Sequence, residues 1–207
     1  MMGLVFNEDN HTYELDGRPL PSVTEILSIL NDFSDVSPYV LAQAARRGTL
    51  VHEYCEMIDY GVDPNDLDIE PDLVGYVQAY VNFLRDWNPT WSLIEQPVWT
   101  DAYAGTLDRY GMIDGHLALV DIKTSSSAGR RQKIVWACQL SAYDEAMQMR
   151  LESGGCIAHT QWDVQLKKDG TYTIHDRWES EDKYTFFADR VFPWCLNIYY
   201  IIHGRKS

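Results

Sequence analysis

The sequence predicts an α/β fold in one domain covering 1–207, and three observations carry that expectation. Two runs of alternating polarity meet at Asp114-Gly115, polar caps precede stretches with apolar residues at helical spacing, and 207 residues of 45% hydrophobic content are enough for one sizeable core. Asp-Gly favours a tight hairpin because both central positions of a type I′ turn need positive φ. No repeat, low-complexity linker or domain boundary interrupts the chain. It divides into an N-terminal hairpin and helices (1–90), a sheet-and-helix segment (91–178) and a closing helix (179–207).

Residues 3 to 21 read as a small hairpin, with Leu4 and Phe6 before turn residues Asn7 to Asn10, then Tyr13 and Leu15 before Asp16-Gly17. Pro21 ends it. Ser22 and Glu25 form a capping box, so a helix carrying Ile26, Leu27 and Leu30 starts there. A second helix takes Ser37 as cap and Pro38 as first residue and ends near Gly61. Leu41, Ala44, Ala45, Gly48, His52 and Cys55 recur along its inward stripe, which aims His52 at the interior. A histidine so placed is ordinarily a hydrogen-bonded core residue.

After an acidic loop (62–70), Pro71 opens a third helix through Trp87, with Leu73, Val77, Tyr80, Val81 and Leu84 on its apolar side; Asn88-Pro89 stops it. Trp91 to Trp99 is strand-like. Two strands flank Asp114-Gly115, and Thr124 to Lys133 is a small, polar, basic loop. A helix from about Lys133 to Ser153 presents Gln139 and Tyr143 one turn apart, and Gly154-Gly155 ends it. Residues 156–166 and 171–178 form a second hairpin around Lys168-Asp169-Gly170. Residues 181–203 form the closing helix, with Phe186, Phe187, Val191, Trp194, Ile198 and Ile201 inward.

The Asp114-Gly115 turn sets a register in which Ile113 faces His116, Met112 faces Leu117 and Asp108 faces Asp121. Carboxylates opposed across an antiparallel ladder lie about 5 Å apart and repel unless something positive sits between them. Alternation puts Leu119, Asp121 and Lys123 on one side of their strand and Ala118, Val120 and Ile122 on the other. Two readings fit. In one, Asp108, Asp121 and Lys123 are a surface charge cluster with one carboxylate paired to the lysine; in the other, the carboxylates share a divalent cation beside the lysine.

A net charge of −14 argues against a general nucleic-acid-binding surface. The basic residues are bunched, however, as Arg46-Arg47, Arg130-Arg131 with Lys133, and Lys167-Lys168, which suits a local positive lining. The four cysteines, Cys55, Cys138, Cys156 and Cys195, are dispersed, so reduced thiols are expected rather than a metal cluster. No apolar run is long enough to span a bilayer and the first residues lack the features of a signal peptide, so a cytoplasmic location, with no membrane partner, is expected.

The ordered set GTLD (Asp108), DIK (Asp121, Lys123) and QLSAY (Gln139, Tyr143) resembles the PD-(D/E)xK nuclease superfamily, specifically its RecB-like branch. There Gly-x-x-Asp lies on one strand, (Asp/Glu)-x-Lys on the next and Gln-x-x-x-Tyr on the following helix. GTLVH, with Gly48 and His52, matches the branch's Gly-x-x-x-His. HTYELDGRPLPSVTEIL is similar to the N-terminal segment of phage-type exonucleases and of the mitochondrial genome-maintenance exonuclease.

The resemblance implies a restriction-endonuclease-like core, a central mixed sheet flanked by helices. It also implies Mg²⁺ or Mn²⁺ held by His52, Asp108, Asp121 and the Ile122 carbonyl, with Lys123 completing the catalytic group of Asp108 and Asp121. Gln139 and Tyr143 would line the site and place the strand or the lysine. Glu95 falls where relatives carry an acidic residue, and is either an outer ligand or a solvent-facing glutamate. Arg46, Thr124, Arg130 and Arg131 are candidate contacts to the DNA backbone, and Tyr110 and Trp136 candidate stacking surfaces for unpaired bases. Some RecB-like nucleases staple their ends with a four-cysteine iron–sulfur cluster; this spacing departs from theirs, and no such cluster is expected. The implied activity is a metal-dependent DNA exonuclease acting on single strands or DNA ends in recombination, repair or phage genome processing. The implied partners are DNA and a recombinase or single-strand-binding protein, and the location is the host cytoplasm if the chain is virus-encoded. A structure-specific endonuclease and a non-cutting DNA- or protein-binding module are the alternatives.

Overall fold

The structure is a computed structural model, and it describes residues 3–7, 10–31, 35–125, 128–150, 158, 160–178 and 188–204. Its centre is a five-stranded mixed sheet in the spatial order β4 (Thr90–Trp99), β5 (Ala104–Ile113), β6 (His116–Lys123), β7 (Thr160–Leu166), β8 (Tyr172–Asp176). The β4–β5, β5–β6 and β7–β8 pairs are antiparallel, and β6–β7 is parallel. A parallel pair needs a long crossover. Helix α4 (Arg130–Arg150) provides it, between β6 and β7.

The Asp114-Gly115 turn forms as expected, with φ of 49° and 77°, and the register runs from Ile113↔His116 to Arg109↔Val120. Alternation along β6 then sorts its residues. Ala118, Val120 and Ile122 join the core under α2 (Pro38–Asp59) and α3 (Val74–Trp87), together with Val51, Cys55, Tyr80 and Phe83. Leu119 joins the core on the opposite face, built with α1 (Val23–Leu27), α4 and α5 (Ala188–His203). The sheet is therefore covered on both sides.

The N-terminal segment is a three-stranded antiparallel sheet, β1 (Leu4–Asn7), β2 (Thr12–Leu15) and β3 (Arg18–Leu20), rather than a single hairpin. Asp16-Gly17 is itself a tight turn, with φ of 53° and 78°, and it returns the chain for a third strand. This sheet packs Tyr13, Leu15 and Leu20 against Ala104, and Tyr13 bonds Thr106 at 2.9 Å, so it braces the start of β5. The capping box is present in full: the Glu25 N–H donates to Ser22 Oγ at 3.1 Å, and the Ser22 N–H to Glu25 Oε2 at 2.7 Å. Ser37 caps α2 with Pro38 in its first turn.

Several expected stripes are rotated. On α2 only Val51 and Cys55 are fully buried, and Ala45 faces solvent. On α3 the buried residues are Tyr76, Val77, Ala79, Tyr80 and Phe83, while Val81 and Leu84 are half-buried. On α5, Ala188, Phe192 and Cys195 face inward, whereas Trp194, Ile198 and Ile201 are 63%, 45% and 82% exposed. The reason is common to them. These helices are apolar around more than half of their circumference, so periodicity leaves the buried face undecided until the neighbours choose it. Phe186, Phe187, Gly154-Gly155 and Cys156 lie outside the described residues; Cys55, Cys138 and Cys195 are buried free thiols. Among the described residues no helix is long and apolar enough to cross a membrane.

Candidate functional site

The site forms where the β5–β6 ladder gives way. Its last backbone pair is Arg109↔Val120, and one step further the Asp108 carboxylate enters the ladder in place of a backbone carbonyl, accepting the Ile122 N–H at 2.6 Å. From the α2 side, His52 Nε2 lies 3.0 Å from the Ile122 carbonyl oxygen. A carbonyl only accepts, so Nε2 carries the proton. Ile122 thus anchors Asp108 through its N–H and His52 through its C=O, the carbonyl that the resemblance assigns to a metal.

That bond leaves His52 Nδ1 facing carboxylates, 3.4 Å from Glu95 Oε1 and 3.7 Å from Asp108 Oδ2. Glu95 stands at φ 45°, in the left-handed region that costs a non-glycine residue roughly 1–2 kcal/mol. Neither a plain solvent-facing glutamate nor a remote one, it is one-quarter exposed and ion-paired with the fully buried Arg109 at 2.8 Å. One donor atom each from His52, Glu95 and Asp108 lie within 4.8 Å of one another. Ligands on opposite sides of a divalent ion sit about 4–5 Å apart, twice a bond length of roughly 2.0–2.5 Å, so this set could hold one.

Electrostatics express the same arrangement. Burial opposes charge on His52, but Asp108, Glu95 and Asp121 outweigh it and raise its pKa to about 9. Burial, with Asp121 beside it, pushes Asp108 up to about 7. Burial works against ionised Glu95 too, yet His52 and Arg109 hold it below the usual carboxylate range. The imidazolium proton on Nδ1 is shared between Glu95 and Asp108, and Arg109 brings a second positive charge to Glu95.

Asp121 belongs to a different arrangement. Its Oδ2 pairs with the Lys123 ammonium, which donates to Gln139 Oε1 at 2.7 Å, and Gln139 Nε2 donates to the Tyr143 hydroxyl at 2.9 Å. Asp121 Oδ1 is buried with no hydrogen-bond partner. Burial opposes the lysine's charge, but Asp121, Asp163 and Asp108 more than compensate, and Lys123 stays an ammonium. The glycine of GTLD has a definite task here. A Cβ on Gly105 would come within 2.5 Å of the Tyr143 ring, so only glycine admits that tyrosine.

Sequence reasoning missed three residues. Asp163 faces Asp121 across the parallel β6–β7 pair, and burial holds its carboxyl well above its usual range. The signal was the alternation Gln161, Asp163, Gln165, three buried polar residues at period two, but only the crossover puts them beside β6. Arg109 and Asp59 form a buried ion pair at 2.5 Å, and Asp59 also accepts from Tyr80 (2.8 and 2.9 Å) and Trp91 (3.1 Å). Nothing local in the sequence marks that pairing, which links the end of α2 to β5.

The other expected contacts differ in exposure and partners. Arg46 is exposed and held bidentately by Glu70 at 2.9 and 2.5 Å. Thr124 is buried just after β6, with Oγ1 facing Gly48 on α2. Arg130 and Arg131 are exposed on the first turn of α4. Tyr110 and Trp136 are only 7% and 3% exposed, so they are core residues rather than stacking platforms. A cavity of about 420 Å³ between the β4–β5 connection and α5 shares no lining residue with the site.

Against known proteins, no family model matches the chain and no curated protein matches it.

Proposed function

We propose that the protein is a metal-dependent deoxyribonuclease with a restriction-endonuclease-like core, cutting phosphodiester bonds in single-stranded DNA or at DNA ends. The observation that carries this reading is the convergence of a three-donor cluster (His52, Glu95, Asp108) with a carboxylate-held ammonium, Lys123, around Asp108–Ile122 of two adjoining strands. The mixed sheet flanked by helices supports it, as does the motif order of the RecB-like branch. Mg²⁺ or Mn²⁺ is the ion we propose, with the imidazole favouring manganese.

The donor set fits such an ion: one imidazole nitrogen whose tautomer a carbonyl fixes, and two carboxylates. When bound, the ion supplies Lewis-acid polarisation of a phosphate oxygen. The chain's own residues supply the rest. Lys123, immobilised by Asp121 and Gln139, is placed to neutralise charge growing on the phosphoryl oxygens, an effect of roughly several kcal/mol in a preorganised site. Tyr143 fixes Gln139 and hence the lysine. Arg130 and Arg131 give the approaching strand a local cationic surface on a chain of net charge −14, which restricts binding to that edge.

End-labelled single- and double-stranded DNA incubated with and without Mn²⁺ tests the activity. Cutting that needs the ion and disappears in Asp108→Asn is expected; binding without cutting by the wild-type chain would reduce it to a nuclease-like binding module. Closed circular against linear single strands separates the modes, since an exonuclease leaves the circle intact and an endonuclease opens it.

A further inference from the structure

Arg109 is fully buried, yet its charge is not used economically for stability. Its Nε pairs with Asp59, its Nη1 donates to Glu95 Oε1 and to the Asp108 carbonyl, both at 2.8 Å, and its Nη2 is buried without a hydrogen-bond partner. Buried ion pairs are commonly no better for stability than apolar packing of the same volume, and an orphaned nitrogen makes this one worse. What the arrangement does provide is orientation. Asp59 is itself fixed by Tyr80 and Trp91, so the guanidinium has one position, and its planar fork reaches Glu95 and the backbone of Asp108 together.

We propose that Arg109 is the positioning residue of the cation site, acting through Glu95. The clamp Asp59–Arg109 holds Glu95 Oε1, the oxygen that also lies 3.4 Å from His52 Nδ1, and so fixes the carboxylate beside the imidazole, while the left-handed backbone at Glu95 sets the direction of the side chain. A ligating carboxylate that is also hydrogen-bonded in place keeps its geometry through binding and release. The same positive charge, shared with Glu95, keeps the affinity moderate. This inference rests on the cation reading of His52, Glu95 and Asp108, not on hydrolysis.

A double-mutant cycle on Mn²⁺ affinity, read by electron paramagnetic resonance of the free ion, tests it. Arg109→Lys keeps the charge but not the fork, and is expected to weaken binding about tenfold, the scale found for residues that orient metal ligands. Glu95→Gln should weaken it at least as much. In the Glu95→Gln background, Arg109→Lys should change affinity less than twofold, because its effect passes through the carboxylate. Equal effects in both backgrounds would overturn the proposal, as would failure of the wild-type chain to bind Mn²⁺. If Arg109→Lys does not fold, Asp59→Asn with Arg109→Met removes the pair without leaving a lone buried charge, and is read in the same cycle. Coupled affinities with no DNA cutting would sink the nuclease reading and leave this one standing; cutting with additive affinities would do the reverse.

Discussion

Two halves of the site solve the problem of buried carboxylates differently. On the β4–β5 side, Glu95 and Asp108 meet His52, with side chains 25%, 8% and 27% exposed; Arg109 also pairs with Glu95, but the positive charge the two carboxylates share is a removable imidazole proton. On the β6–α4 side, Asp121 is 2% exposed and its partner is Lys123, anchored in turn by Gln139 and Tyr143. The first half is open to exchange with a cation. The second is closed, and its charge is covalently part of the fold. One half is therefore suited to bind and the other to hold, and each can be disturbed separately.

The largest effect is expected from Asp108→Asn, which removes a donor and leaves the Ile122 N–H facing a neutral amide. DNA hydrolysis should fall by about three orders of magnitude, the scale of several kcal/mol of lost transition-state stabilisation, with Mn²⁺ affinity falling alongside in a titration. Lys123→Ala breaks the closed half instead. It leaves Asp121 buried without its ion-pair partner, at a cost of about 3–5 kcal/mol in denaturant unfolding. Adding Asp121→Asn should recover most of that stability without recovering cutting; recovery of both would show that the lysine serves the fold alone.

Gly105→Ala probes the join between the halves. Its Cβ would meet the Tyr143 ring at 2.5 Å, and overpacking of this kind costs about 1–3 kcal/mol, readable as a lower Tm. The open half should respond to pH. An arriving cation must displace the proton on His52, whose pKa stands at about 9, and the one on Asp108, at about 7. Mn²⁺ affinity should rise as pH climbs through both values, with proton release measured by calorimetry in buffers of different ionisation heat. The metal-free fold should weaken over the same range. A histidine with a raised pKa stabilises fully only below its unfolded value and loses that contribution through about 9, and a carboxyl raised to about 7 releases its proton later folded than unfolded. Arg46→Ala, at an exposed pair with Glu70, should leave Tm and Mn²⁺ affinity unchanged.

Local rules were readable wherever one residue's chemistry sufficed. Asp114-Gly115, the Ser22–Glu25 box and the Ser37-Pro38 helix start each follow from turn or cap geometry and are all present. Most of the site was legible as well, because the hairpin register and alternation along β6 place Asp108 beside Asp121 and point Lys123 the same way as Asp121. Glu95 was ambiguous, since its direction depends on a left-handed backbone that no neighbouring glycine announces. Trp194, Ile198 and Ile201 were misplaced because an all-round apolar helix has no preferred face of its own.

Short-range stereochemistry therefore settled the turns, the caps and which side chains share a strand face, for these depend on a few consecutive residues. Which carboxylate took a cationic side chain and which stayed available to a metal was decided by packing. Arg109 finds Asp59 from a distant helix, Asp163 arrives beside Asp121 only through the α4 crossover, and Tyr143 descends onto Gly105 from the same helix. Charges buried at low dielectric must be matched, and the matching depends on which elements the fold brings into contact.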